Sequence, residues 1–305
     1  MGQDRVVVTG GAGFIGSHLS AALRDRGARV RVVDDLRTGR REWVPDGAEF
    51  LQADVVEAAA EAVRDAGLVF HLAAVPSVPW SVENPLESHR TTARSTLEVL
   101  AAAEKAGVRR VVFASSSAVY GDTPDLPKRE DTPARPLSPY AAAKLAGELY
   151  AVSWAAHTRL ETVSLRFFNV FGPRQSPDSP YAPVIPKFIE CLRAGRPMPV
   201  YGDGRQTRDF VYVEDVVRRL LAAAEAPGIS GRVYNVADGR PRAILDVGRA
   251  VASVLGVEPR FEFLPPRRGD ARESWADVTA MRRDLGAEST PFEEGLRRTG
   301  EGFAR

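Results

Sequence analysis

The chain has 305 residues, 44% of them hydrophobic and 27% charged, which is enough for a sizeable core in one large domain or two modest ones. With 41 basic and 40 acidic residues the net charge is +1, so nothing in the bulk charge points to nucleic acid or a membrane surface as partner. The lone Cys191 excludes an intrachain disulfide and a cysteine metal cluster, and no apolar run reaches the roughly 18 residues of a membrane span.

The sequence runs straight into a strand, "RVVVTG" (5–10), leaving no room for a signal peptide, so a cytoplasmic location is expected. A helix over 17–27 follows, then a strand over 29–35. "AEFLQADV" (48–55), "GLVFHLAA" (67–74) and "RRVVFASSS" (109–117) read as three further strands, with a long helix over 87–107 before the last. Strands alternating with helices predict a parallel sheet with right-handed crossovers. "TVSLRFFNVFG" (162–172) reads as one more strand, leading into a proline-rich stretch (173–188) expected to be a structured loop or lid. Residues 209–228 read as strand and helix, 231–238 as a strand, and the remainder as a smaller α/β cap. The expected fold is therefore α/β, a Rossmann-type doubly wound parallel sheet with a smaller C-terminal substrate domain. The division is residues 1–165, with a return around 209–240, against 166–208 and 241–305.

"VVVTGGAGFIGSHL" sets glycines between the first strand and first helix, read as GxxGxxG (Gly10, Gly13, Gly16) or GxGxxG (Gly11, Gly13, Gly16). Such a turn lets the backbone approach a pyrophosphate, which the free N–H groups of the helix N-terminus then hold. Asp34, followed by Asp35, ends the second strand, where a carboxylate accepts from a ribose 2′-OH and repels a 2′-phosphate. This favours NAD over NADP, with Arg37 nearby as the opposing feature. Asp54 and Val55 fit an adenine contact.

In "SPYAAAKLAGELY" (138–150), Tyr140 and Lys144 stand four apart in a helix-forming run and so share one face. Bringing a phenol from its usual value near neutrality takes about 4 kcal/mol. An ammonium about 4 Å away provides a similar amount at an effective dielectric near 20. The positive ring of an oxidised nicotinamide would add to it. Ser115, Ser116 and Ser117 emerge at the carboxyl end of a parallel strand, the edge where ligands bind in open α/β sheets.

The motifs "TGGAGFIGSHL", "HLAA", "SSSAVYG", "SPYAAAKLAGE", "RFFNVFGPRQ" and "DFVYVEDV" run in order over nearly the whole chain and resemble the extended short-chain dehydrogenase/reductases. The nearest likeness is to the UDP-hexose 4-epimerases of the NAD-dependent epimerase/dehydratase group. The resemblance implies a catalytic set of Ser116 (Ser117 the fallback), Tyr140 and Lys144. It also implies NAD as cofactor, held by the glycine turn with Phe14 and Ile15, by Asp34, Asp35, Asp54 and Val55, by Leu72, Ala73 and Ala74, and by the catalytic Tyr140 and Lys144. The implied substrate is a nucleotide-diphosphate sugar, a UDP-hexose, bound by Ser116, Ser117, Asn169, Val184, Arg208, Arg267, Asp270 and Ser274. Arg208 and Arg267 would hold the diphosphate. The small Ser274 would leave room for a 2-acetamido group, so N-acetylhexosamines are expected alongside UDP-glucose and UDP-galactose. A homodimer through residues 87–106 and 139–156 is expected as well.

The chain departs from the family pattern at Thr92 and Ser95, where relatives have asparagine and glycine. A 4,6-dehydratase would need an acid and a base after the catalytic hydroxyl, and Ser117-Ala118 offer neither. A regulator that only binds NAD is the other alternative, and the intact serine, tyrosine and lysine argue against it.

Overall fold

The computed structural model describes residues 5–177, 182–266 and 271–303. In chain order the first half contains β1 (Arg5–Thr9), α1 (Phe14–Asp25), β2 (Arg29–Asp34), β3 (Glu49–Gln52), α2 (Val55–Ala62) and β4 (Ala66–His71). There follow α3 (Val78–Glu83), α4 (Pro85–His89), α5 (Ser95–Lys105), β5 (Arg110–Ser116), α6 (Pro139–His157) and β6 (Glu161–Phe167). The second half runs β7 (Asn169–Phe171), α7 (Val184–Arg193), β8 (Met198–Tyr201), β9 (Thr207–Tyr212), α8 (Val213–Glu225) and β10 (Arg232–Val236). It ends with β11 (Pro241–Ala243), α9 (Ile244–Leu255), β12 (Phe261–Leu264), β13 (Glu273–Ser274), α10 (Thr279–Leu285) and α11 (Phe292–Gly302).

Seven strands form one parallel sheet in the order β10-β6-β5-β4-β1-β2-β3. The unbroken valine run of β1 is what a strand covered on both faces requires. Val6 and Val8 pack with Leu19 of α1 and Leu220 of α8. Val7, on the opposite face, packs with Ala62 of α2 and Val99 of α5. Chain order reverses between β1 and β4, so their carboxyl ends open the crevice where a doubly wound sheet binds its ligand. A second sheet holds β7, β9, β11 and β13, and β8 pairs with β12. Their core gathers Phe171, Phe188, Ile189, Met198, Phe210 and Val247.

Two expected elements are interrupted. The helix over 87–107 is broken by a π-helical turn at Arg90–Arg94 between α4 and α5. Its hydroxyls bond back to backbone carbonyls: Thr91 to Glu87, Ser95 to Thr91, and Thr96 to Thr92, at 2.9, 2.9 and 2.7 Å. This competition with the regular ladder bends helices. The strand over 162–172 divides at Phe168, whose N–H donates to Val236 O at 3.0 Å. β6 stays in the main sheet while β7 crosses to pair with β9. In the proline-rich stretch, α7 begins at Val184, and residues 178–181 lie outside the described residues.

Candidate active site

The glycine turn is built by contact distance. Gly10 has φ +69°, and a Cβ there would lie 2.8 Å from Ala73 N. A Cβ at Gly16 would lie 2.1 Å from Gly10 O, which no side chain tolerates. Helix α1 starts at Phe14 behind Gly13, with no side chain capping it, so its first amides face the crevice mouth. The helix expected from residue 17 begins three residues earlier, at Phe14, with Gly13 as its N-cap and Gly16 inside its first turn.

Asp34 is buried at the end of β2, where Oδ2 accepts from Ala12 N at 3.0 Å and Oδ1 from Leu36 N at 2.9 Å. Burial pushes its carboxyl up, and the two backbone donors oppose that. Asp54 stands past the end of β3 as the N-cap of α2, accepting from Val56 N at 2.9 Å. At the end of β4, Leu72 N donates to Thr9 O at 3.1 Å and Ala73 N to Thr9 Oγ1 at 3.3 Å. Thr9 Oγ1 also bonds His71 Nδ1 at 2.7 Å. His71 is fully buried and held at about 3, mainly by burial and then by the nearby Lys144 cation, so it is a neutral brace.

Helix α6 is capped by Ser138, whose Oγ accepts from Ala141 N at 3.2 Å. Its first turn presents Tyr140 to the end of β5, beside Ser116, whose hydroxyl acts to lower the Tyr140 phenol. Ser116 Oγ also accepts from Ala118 N at 3.2 Å, which fixes its rotamer. One turn on, Lys144 Nζ donates to Ala114 O at 2.7 Å and lies 5.1 Å from the Phe113 ring centre and 6.0 Å from that of Tyr140. One turn further, Glu148 receives Ser115 Oγ at 2.8 Å and pairs with Arg166 at 2.5 Å. Helix and strand end are thus clamped together beside the reacting hydroxyls.

Lys144 together with an oxidised nicotinamide is expected to depress Tyr140, and burial works against that shift. Burial dominates and pushes Tyr140 up to about 12, with only the Ser116 hydrogen bond opposing it. The same burial brings Lys144 down to about 7.

A single cavity of about 690 Å³ runs from the glycine turn past this cluster to the second sheet. It is lined by Gly10, Gly13, Phe14, Ile15, Gly16, Asp34, Asp35, Asp54, Val55, Leu72, Ala73 and Ala74 at one end. Ser116, Tyr140 and Lys144 line its middle, and Asn169, Val184 and Arg208 its far end. Ser117 is not on the wall; it begins a short 3₁₀ turn behind Ser116. Ser274 is also off the wall, but pairs in register with Arg208 across β13 and β9. Arg267 and Asp270 lie outside the described residues.

The wall also includes Gln175, Lys187, Tyr201 and Gln206, which sequence reasoning missed. Gln175 anchors its amide nitrogen on Val170 O at 2.8 Å and leaves Oε1 buried without a partner among the described residues. At the departures from the family pattern, Thr92 Oγ1 is likewise buried and unpartnered. Ser95 Oγ bonds Thr91 O and Thr92 O, at 2.9 and 3.0 Å.

Comparisons with known proteins agree with this layout. The profile of the NAD dependent epimerase/dehydratase family matches residues 6–237. The UDP-glucose 4-epimerase of Mycolicibacterium smegmatis is 40% identical, covering 98% of each chain. The UDP-N-acetylglucosamine 4-epimerase of Methanobrevibacter ruminantium, solved with UDP-N-acetylmuramic acid, superposes with a TM-score of 0.96 at 38% identity, covering 100% of this chain and 99% of that one. The Thermus thermophilus UDP-glucose 4-epimerase solved with NAD gives 0.90 at 38% identity, covering 98% and 99%. With sheet order, glycine turn and strand-end cluster all in agreement, the chain belongs to the NAD dependent epimerase/dehydratase family.

Proposed function

We propose that this chain is an NAD-dependent nucleotide-sugar 4-epimerase. It interconverts UDP-glucose and UDP-galactose, and UDP-GlcNAc and UDP-GalNAc, through a transient 4-keto sugar. The observation that carries this reading is the convergence of Ser116, Tyr140 and Lys144 on one cavity that also contains the glycine turn. The cofactor end fits a dinucleotide, because Gly10 and Gly16 leave no space for a Cβ and Asp34 keeps a carboxylate at the strand end. Bound there, NAD would supply the hydride acceptor and donor that a 4-keto intermediate requires.

The chain supplies proton transfer and positioning. Tyr140 takes the proton of the sugar 4-OH and returns it to the same oxygen. Ser116 hydrogen-bonds that oxygen and keeps Tyr140 aimed at it. Lys144, at the wall beside Tyr140, favours the phenolate whenever it is charged. The presence of Arg208 on the cavity wall supports a guanidinium contact to the diphosphate, and that of Asn169 and Val184 a contact to the rest of the sugar nucleotide. The turn at Ser117–Tyr120 carries no carboxylate, which speaks against dehydration. The likeness to a UDP-N-acetylglucosamine 4-epimerase supports acceptance of a 2-acetamido group.

Residues 1–165 with the return at 209–240 serve the cofactor, and the remainder the sugar nucleotide. The place of β10 in the main sheet and of α8 against α1 supports this division. Homodimerisation is supported by exposed apolar side chains on α3, α4 and α6, among them Val82, Leu86, Leu149 and Tyr150. A cytoplasmic location is supported by the single, unpaired cysteine. Among the described residues no helix is long and apolar enough to cross a membrane.

The test is turnover of UDP-galactose, read as UDP-glucose through a coupled dehydrogenase, alongside UDP-GalNAc. The proposal predicts epimerisation of both. Release of a 4-keto-6-deoxy sugar, or no turnover with NAD bound, would overturn it.

A further inference from the structure

A cation just beyond the second strand of a dinucleotide fold is what a 2′-phosphate needs. This chain has one in Arg37, on the cavity wall three residues after Asp34. The structure shows that guanidinium already committed. Nη1 donates to Glu87 Oε1 at 2.8 Å, and Nη2 lies 3.5 Å from Asp35 Oδ2. Glu87 comes from α4, 50 residues further along the chain.

Glu87 is itself held in place. Arg90 donates from Nε to Oε2 at 2.8 Å and from Nη2 to Oε1 at 2.9 Å. Arg90 Nη2 also reaches Asp54 Oδ2 at 2.5 Å. A strap of alternating charge therefore runs from the N-cap of α2 through Arg90 and Glu87 to Arg37, over the adenosine end of the cavity. Hydrogen bonds from Arg90, and then from Arg37, hold the Glu87 carboxyl at about 2, so it stays ionised at any working pH. The Glu87 and Arg37 side chains are each 36% exposed, and pairs so exposed add little to stability. Fold stability therefore does not account for the strap.

Resting on the reading that this cavity takes NAD, we propose that Glu87 is a cofactor-specificity residue. It occupies and neutralises Arg37, so that this guanidinium on the cavity wall is withdrawn from a 2′-phosphate. Asp34 then stands at the strand end with no free cation beside it among the described residues, which disfavours NADP. Discrimination against NADP thus comes from α4 as well as from the strand-end acid.

The test loads the purified protein with an equimolar excess of NAD and NADP, removes free dinucleotide, denatures the protein, and quantifies what is released. Glu87→Gln should raise the NADP-to-NAD ratio roughly tenfold, the scale of one hydrogen bond to a charged group. The double variant Glu87→Gln/Arg37→Ala should return to the wild-type ratio. An unchanged ratio in Glu87→Gln, or a gain that persists in the double variant, would overturn the proposal. Release of no dinucleotide from the wild type would remove the cofactor reading, and this proposal with it.

Discussion

Glu148→Ala probes the clamp behind the reacting hydroxyls. The Glu148 and Arg166 side chains are 3% and 7% exposed, joined at 2.5 Å from Oε1 to Nη2 and at 2.9 Å from Oε2 to Arg166 Nε. Oε2 also receives Ser115 Oγ at 2.8 Å. Removing the carboxylate leaves a buried guanidinium short of two acceptors and a serine short of one. Breaking such a pair from one side costs about 3–5 kcal/mol. At about 2–4 °C per kcal/mol for a chain of comparable size, the melting point should fall on the order of 10 °C. The assay is thermal unfolding followed by circular dichroism, repeated for Arg166→Ala and the double variant. The double should lose at least about 1 kcal/mol less than the sum of the singles, since one change removes the reason for the other's cost. Melting of Glu148→Ala within a degree or so of the wild type, or strict additivity, would refute the reasoning.

Three further outcomes are expected. Gly16→Ala places a Cβ 2.1 Å from Gly10 O, so the purified variant should contain at least about tenfold less NAD than the wild type by ultraviolet absorbance. Lys144 falls from its ordinary 10.5 to about 7 on folding, so between those values the unfolded chain holds a proton that the folded chain has lost. Stability of the cofactor-free protein in urea should therefore rise with pH across that window, and Lys144→Met should lack the rise. Tyr140 moves the other way, to about 12, and acts only above pH 10. Finally, NAD at about a hundred times its dissociation constant should stabilise the wild type by about 2.7 kcal/mol in the same urea titration.

The order of strands, the glycine turn and the acid after β2 were legible because each is a local pattern with a local cause. The strand-end serines and the Tyr140–Lys144 spacing were legible for the same reason. The breaks were not. Nothing in 87–107 announces that Thr91, Ser95 and Thr96 turn their hydroxyls onto the backbone rather than outward. The division at Phe168 depends on a bond to Val236, which lies on the neighbouring strand β10 but comes from a distant part of the chain. The part burial plays in the charge tuning was not legible: spacing puts an ammonium near the phenol, but only packing shows both groups desolvated. Arg37 could be noticed in the sequence, yet its partner Glu87 belongs to another element.

The central claim is that the Tyr140 hydroxyl carries the proton of the sugar 4-OH. The most direct measurement is kcat for conversion of UDP-galactose to UDP-glucose by Tyr140→Phe, with bound NAD quantified in the same preparation. The account predicts a loss of about 10²–10⁴-fold, the range for a positioned acid–base group, with NAD content unchanged. A variant that epimerises at the wild-type rate with NAD bound would contradict it.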